Sequence, residues 1–267
     1  NLFHKQWGLN NVVDNTNVDI SACEAWEFTK GNTNVIIAIL DSGVKLDHSD
    51  LTNVDANISY DLITESSPSV LYPNSSYSKY RHGTNCAGII GAEHNNIGVA
   101  GVAPNCTVMS LSLDWSTAYD FENDIDPIDY YLAAGIDYAW QNGADVISNS
   151  WSGASDQDIV SYKINEAVTY GRNNRGCIIV NSTGNGNNLY VSFPCENPDI
   201  IAVGAIDSCG VRGKNLALPS NENNYYCGSA WPYGSNYGTG LSVVAPGTDI
   251  STTTIVDNFG MPLEYSD

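Results

Sequence analysis

Val35-Ile36-Ile37-Ala38-Ile39-Leu40-Asp41-Ser42-Gly43 opens with six consecutive apolar residues and then turns polar at Asp41. A run that continuous leaves no solvent-facing side, which is the pattern of a strand covered by helices on both faces of a parallel sheet. Asp41 then falls at the carboxyl end of that strand, the end at which ligands gather in open α/β sheets.

The same signal repeats along the chain. Val108 to Leu113, a strand starting at Val146-Ile147, Cys177 to Val180, Ile200 to Val203 and Leu241 to Val244 read as further buried strands. Between them, His82 to Ala92 reads as a small-residue buried helix. Ile128, Leu132, Ile136 and Trp140 mark one face of a helix stopping near Asn142-Gly143, and Asp156 can cap a helix carrying Ile159, Ile164 and Val168. Alternating strands and helices predict an α/β fold, a doubly wound, mostly parallel sheet with helices on both faces. Residues 207–240, rich in Gly, Asn, Tyr and Ser, read as loop or short hairpin. With no repeat, linker or composition break, residues 1–267 are expected to form a single domain.

Composition removes several function classes. The 267 residues are 42% hydrophobic, with 24 Gly, 16 Tyr and 6 Trp, which excludes a disordered acidic tail, a collagen-like repeat and a coiled coil. No apolar run reaches the roughly eighteen residues of a membrane span. A formal charge of −20, from 10 Lys+Arg against 30 Asp+Glu, repels phosphate backbones and anionic lipid, so neither nucleic acid nor membrane is an expected partner. That charge suits either a solvated extracellular surface or a site for basic substrates. Seven Cys without a Cys-x-x-Cys pair and only four His argue against a zinc ribbon or thioredoxin motif, and the wide Cys spacing suits disulfides in an exported protein, with one thiol left over. The first residue, Asn1, is neither an initiator Met nor part of a signal-like segment, which is what a processed N-terminus would show.

Three groups of residues carry chemistry. Asp41 and His82 can meet if the segment opening His82-Gly83-Thr84 returns to the end of the first strand. In such a pair an imidazole takes a proton from a hydroxyl nucleophile, and a buried carboxylate fixes its tautomer. Asn185, between Gly184 and Gly186 after a strand, can present its amide to a cleft. Glu93-His94-Asn95-Asn96-Ile97-Gly98-Val99 is a tight loop able to offer several oxygens to a hard cation.

In their order along the chain these pieces resemble the signatures of the subtilisin-like serine proteases: Asp41-Ser42-Gly43-Val44 with His48-Ser49-Asp50-Leu51, His82-Gly83-Thr84-Asn85-Cys86-Ala87-Gly88, Val99-Ala100-Gly101-Val102-Ala103-Pro104, Ser148-Asn149-Ser150-Trp151, Thr183-Gly184-Asn185-Gly186 and Val244-Ala245-Pro246-Gly247. The resemblance implies a secreted serine endopeptidase acting on polypeptides through an Asp-His-Ser triad and an acyl-enzyme. By it Asp41 is the orienting carboxylate, His82 the general acid/base and Asn185 the oxyanion donor. It implies a structural calcium held by Gln6, Asp50, Asn95 and the carbonyls of Glu93, Ile97 and Val99. Ser150, Trp151, Ser152 and Gly153 would form one wall of the primary substrate pocket, with the segment around Trp115 as the opposite edge. A propeptide or protein inhibitor is a further implied partner.

The nucleophile departs from the pattern. No Gly-Thr-Ser occurs in the sequence, and Ser266, in Glu264-Tyr265-Ser266, lacks the Gly and Thr that would present its hydroxyl. The C-terminal part of the fold, with the serine, is therefore expected on a C-terminal fragment or second chain bound to this one, and these 267 residues by themselves are expected to be inactive. Cys86, four residues after His82, resembles the free thiol of the proteinase K group and is expected to be a buried unpaired thiol rather than half of a disulfide. Asp120, Glu122, Asp124, Asp126, Asp156 and Asp158 leave open a kexin-like cleft that cuts after basic residues. A catalytically inactive subtilase serving as a binding module is the other alternative.

Overall fold

A computed structural model of the chain describes residues 2–11, 18–71, 81–115, 127–154, 157–212, 234–255 and 265–266. Seven strands form one sheet: β1 (Ile36–Asp41), β2 (Tyr60–Asp61), β3 (Thr107–Ser112), β4 (Val146–Asn149), β5 (Ile178–Ser182), β6 (Ile200–Ile206) and β7 (Val243–Pro246). Their order is β2-β3-β1-β4-β5-β6-β7, with parallel pairing throughout. From β1 the chain passes to the edge at β2, returns through β3 beside β1, crosses to β4 on the other side and then runs in succession to β7, so β1 lies inside the sheet between β3 and β4, and Asp41 ends it. The described helices are α1 (Ala22–Trp26), α2 (His82–Gly91), α3 (Pro127–Gln141) and α4 (Gln157–Asn174). α4 loses helical geometry at Gly171–Asn173, where Arg172 and Asn173 take φ of 53° and 57°.

The apolar alternation of β1 feeds two cores. Ala38 and Leu40 pack with Leu111, Leu132, Ile136, Ile147, Ile164 and Ile179 under α3 and α4. Ile39 packs with Val44, Leu51, Ala87, Ala92, Val99 and Val108 on the α2 side. Each large side chain so removed from water contributes roughly 1.5–3 kcal/mol, which is why β1 tolerates no polar residue before Asp41. Toward β7 the α2 face thins out: Ile178, Ile201 and Val243, which the strand register places on the face away from α3 and α4, are 42%, 40% and 50% exposed.

α2 approaches the end of β1 so closely that only glycine fits at the contact. A Cβ on Gly83 would lie 2.4 Å from the carbonyl oxygen of Gly43, and Gly43 itself has φ of +92°. Neither atom can retreat as a flexible side chain would. Gly83→Ala is therefore expected to destabilise the chain by about 1–3 kcal/mol, read from the denaturant midpoint of unfolding, and an unchanged midpoint would show that the contact yields.

The disulfide expectation is corrected here. Cys23, Cys86, Cys106, Cys177 and Cys195 are free thiols, whereas Cys209 is disulfide-bonded. Cys106, Cys177 and Cys195 are core residues, and burial pushes the Cys177 and Cys195 thiols up to about 11, which keeps them protonated and unreactive. Spacing along the chain could not distinguish a cysteine used as a small hydrophobe from one used as a staple. Among the described residues no helix is long and apolar enough to cross a membrane.

Candidate active site

Asp41 and His82 are brought together as the sequence predicts. Asp41 is 2% exposed at the end of β1, and its Oδ1 accepts the Ser42 N–H at 2.7 Å, which fixes the carboxylate plane. His82 opens α2 and sets Nδ1 2.8 Å from Asp41 Oδ2 and 3.0 Å from Oδ1. The second anchor comes from Ser42, whose Oγ accepts the Gly83 N–H at 3.1 Å and ties the first turn of α2 to the residue after Asp41. Ser42 is conspicuous in the quoted sequence only as part of a turn, so its role was not legible there.

The imidazole side chain is 48% exposed while its partner is buried. The hydrogen bond that His82 donates to Asp41, followed by the contact with Cys86, holds the His82 pKa well above the ordinary 6.5, against a smaller opposing effect of burial. With Nδ1 occupied by the carboxylate, Nε2 is the nitrogen left to exchange a proton with a reactant.

Cys86 is a free thiol one turn along α2. Its Sγ lies 3.9 Å from His82 Nδ1 and donates to Ser150 Oγ at 3.4 Å, so the end of β4 lies against the same helix. Ser150, Ser152 and Gly153 are exposed there, and the Gly153 N–H donates to Phe193 O at 2.8 Å. Trp151 differs from the pocket-wall expectation. Its ring belongs to the core under α3 and α4 at 6% exposure, and only its backbone serves this edge, with Trp151 O accepting from Asn181 Nδ2 at 2.8 Å. Alternation past β4 turns every second side chain inward, and the largest apolar ring takes the inward place. Trp115 likewise packs against that core.

Asn185 is exposed just past β5, after Gly184 with φ of +93°. A Cβ on Gly184 would meet Ser192 Oγ at 2.7 Å, Asn236 Nδ2 at 2.8 Å and Ser152 Oγ at 3.3 Å. The β4 edge and the β5 turn therefore face each other across a place that only glycine leaves open. Asn236 holds that turn, donating to Thr183 O and Ser192 Oγ, both at 2.9 Å. Neither Ser192 nor Asn236 carries a signal in the sequence, since both sit in polar loop segments.

The loop at Glu93–Val99 closes on Asp50. The Asp50 carboxylate is fully buried and accepts neutral donors, Asn95 Nδ2 at 2.9 Å and the Val99 N–H at 3.0 Å. Burial pushes its carboxyl above the usual range. Asn95 Oδ1 accepts the Ile97 N–H at 2.8 Å, and Glu93 O accepts from the Asn95 N–H at 3.0 Å. Gln6 joins the loop by bonding both backbone groups of Ala100, at 2.7 and 2.9 Å. Carboxylate, amide and carbonyl oxygens are the donor types that hold a hard divalent cation, and here Asp50 faces N–H groups while Asn95 Oδ1 and Gln6 Oε1 accept backbone N–H groups, so an ion would displace these bonds.

Ser266 lies in the two-residue strand β9 (Tyr265–Ser266), paired antiparallel with β8 (Thr252–Thr253). Of the acidic residues on which the kexin-like alternative rests, Asp120, Glu122, Asp124, Asp126 and Asp156 lie outside the described residues, as does much of the 207–240 segment, and Asp158 is exposed in the first turn of α4.

The subtilase family model matches residues 32–262. The chain is 31% identical over 264 residues to a thermophilic serine proteinase of Bacillus sp. (strain AK1), covering 94% of this chain and 54% of that one. It is 30% identical over 232 residues to subtilisin amylosacchariticus of Bacillus subtilis subsp. amylosacchariticus, covering 85% and 50%. This chain thus spans about half the length of these curated relatives. Among solved structures, the prenylagaramide maturation protease PagA matches with a TM-score of 0.59 and 21% identity over 88% of this chain and 71% of that one, a likeness of fold. With Asp41 and His82 paired at the carboxyl end of an interior strand of a parallel sheet, and with the match running through nearly all of its length, the chain belongs to the subtilase family of serine proteases.

Proposed function

We propose that the chain carries the acid/base half of a secreted serine endopeptidase that cleaves polypeptides of broad or apolar preference. The observation that carries this reading is the 2.8 Å contact between His82 Nδ1 and the buried Asp41. His82 Nε2 takes the proton of an attacking serine hydroxyl and returns it to the leaving amine, while Asp41 stabilises the imidazolium between the two steps. Substrate lies extended beside Ser150, Ser152 and Gly153, and Asn185 donates its amide to the oxyanion of the tetrahedral intermediate.

The serine itself comes from a Gly-Thr-Ser segment outside these 267 residues, on a C-terminal piece bound to this one in a single catalytic domain. The apolar face formed by Ile178, Ile201 and Val243 supports this, because a packed helix would take it out of water. The test is hydrolysis of an unstructured protein by the chain joined to that piece. In this complete enzyme Asn185→Ala is expected to lower kcat about 10²–10³-fold with little change in KM. A kcat unchanged by Asn185→Ala would remove Asn185 from the oxyanion site.

Asp50, Asn95, Gln6 and the carbonyls of Glu93, Ile97 and Val99 hold calcium in this reading. The ion supplies positive charge to the buried Asp50 carboxylate, and it joins the loop to the N-terminal segment. Chelation is expected to lower Tm by about 5–10 °C at an ion concentration near 100 times Kd. Asp50→Asn should abolish the difference between chelated and calcium-loaded protein, and a Tm indifferent to chelator in the unsubstituted chain would sink the assignment.

A further inference from the structure

Three chemically different metal ligands converge at the start of α2. A carboxylate oxygen of Asp41, a ring nitrogen of His82 and Sγ of Cys86 all lie within 4.8 Å of one another, and this is the one such triple among the described residues. The set mixes thiolate, imidazole and carboxylate, the combination that prefers soft or borderline ions such as Zn²⁺ over calcium.

We propose that Asp41, His82 and Cys86 form a reversible binding site for a thiophilic divalent cation of the zinc class, distinct in chemistry and place from the oxygen-lined loop at Asp50. Tetrahedral coordination with ordinary zinc–ligand lengths separates a sulfur from a nitrogen ligand by about 3.5 Å and a nitrogen from an oxygen by about 3.3 Å. The observed separations are 3.9 Å for Cys86 Sγ to His82 Nδ1 and 2.8 Å for Nδ1 to Asp41 Oδ2, each about half an ångström from the target. Asp41 is held by the backbone at Ser42, but Cys86 is half-buried and His82 is 48% exposed, so the two residues that must adjust are the two with room. That exposure also gives the ion a path in and leaves water as the fourth ligand.

The protons balance as follows. Cys86 gives its thiol proton to buffer, and the protonated imidazole of His82 gives its Nδ1 proton to buffer as the ion takes that lone pair, keeping the proton on Nε2. His82 is then blocked at both nitrogens, one by metal and one by hydrogen. On the protease reading this switches off the general base, but binding itself needs no serine and no hydrolysis.

The test is run on the chain as it stands, at a fixed mildly alkaline pH, with saturating Ca²⁺ to occupy oxygen sites. Alkylation by N-ethylmaleimide is followed residue by residue by peptide mass spectrometry, with and without Zn²⁺. The expected result is at least tenfold slower labelling of Cys86 with Zn²⁺ and no change at Cys23, the other partly exposed free thiol among the described residues. Co²⁺ in place of Zn²⁺ should give a thiolate-to-cobalt charge-transfer band that disappears in Cys86→Ser and weakens at least tenfold in apparent affinity in His82→Ala. Labelling of Cys86 that ignores Zn²⁺, or a cobalt band that survives Cys86→Ser, would overturn the site. Circular dichroism of Cys86→Ser matching the parent shows that a lost band reports a lost ligand.

Discussion

His82→Ala is expected to lower kcat of the complete enzyme about 10⁶-fold, the size of loss known for removing this role in subtilisin. The magnitude follows from what one imidazole does here. It accepts the nucleophile's proton, and it later protonates the leaving amine, and no other described side chain at the site can perform either step at neutral pH. Cys86 lies within 3.9 Å of His82 Nδ1, but it bonds toward Ser150 and lies on the Asp41 side of the ring. Substrate binding should survive, because the Ser150–Gly153 edge and the Gly184–Asn185 turn are held by bonds to Phe193, Asn181 and Asn236 that do not pass through His82. The measurement is kcat and KM on a chromogenic peptide. A loss smaller than a hundredfold, with KM unchanged, would show that His82 is not the base.

Asp41→Asn is expected to cost about 10⁴-fold in kcat while leaving the fold intact. The amide keeps the shape of the carboxylate, yet its NH₂ can favour the wrong imidazole tautomer and it cannot stabilise the imidazolium. A second signature separates this from a merely structural loss. Asp41 holds the His82 pKa above 6.5, so in the unsubstituted enzyme the rate climbs only as pH passes that raised value and the base becomes neutral. The same pair stabilises the fold fully below the unfolded histidine pKa, and that contribution fades as pH rises through the folded one. In Asp41→Asn both effects go, and the acidic limb of the kcat/KM profile moves to lower pH. An acidic limb that stays in place would detach His82 from Asp41.

Much of this layout was legible in the chain itself. Six unbroken apolar residues before Asp41 announced β1, found at Ile36–Asp41. The Ile128, Leu132, Ile136, Trp140 spacing announced α3, found at Pro127–Gln141. Both signals are strong because core positions leave little choice of residue type. β2 was missed because two residues, Tyr60–Asp61, are too few to show a period, and its pairing partner β3 supplies the reason it is a strand. Asp41 and His82 could be read because glycines and small residues flank them. Ser42, Ser192 and Asn236 could not, since a serine or asparagine in a polar loop looks the same whether it holds a catalytic turn or faces water. Trp151 shows the remaining limit: its sequence neighbours are on the edge of the cleft, but its own ring is in the core.

The meeting of Gly83 with Gly43 contains no side chain at all. Distances set by interlocking side chains drift whenever one neighbour is exchanged for another of different volume. This one is set by peptide geometry, and the hydrogen bond from the Gly83 N–H to Ser42 Oγ adds a single short link to it. The separation of Asp41 from His82 is thereby insulated from substitutions in the two cores on either side of the sheet. Such a chain can accumulate apolar exchanges over most of its length, as in its 31% identity to the thermophilic proteinase, while the reactive pair inherits an unchanged spacing. Mutational robustness at the site is thus carried by two residues whose contribution is the atoms they lack.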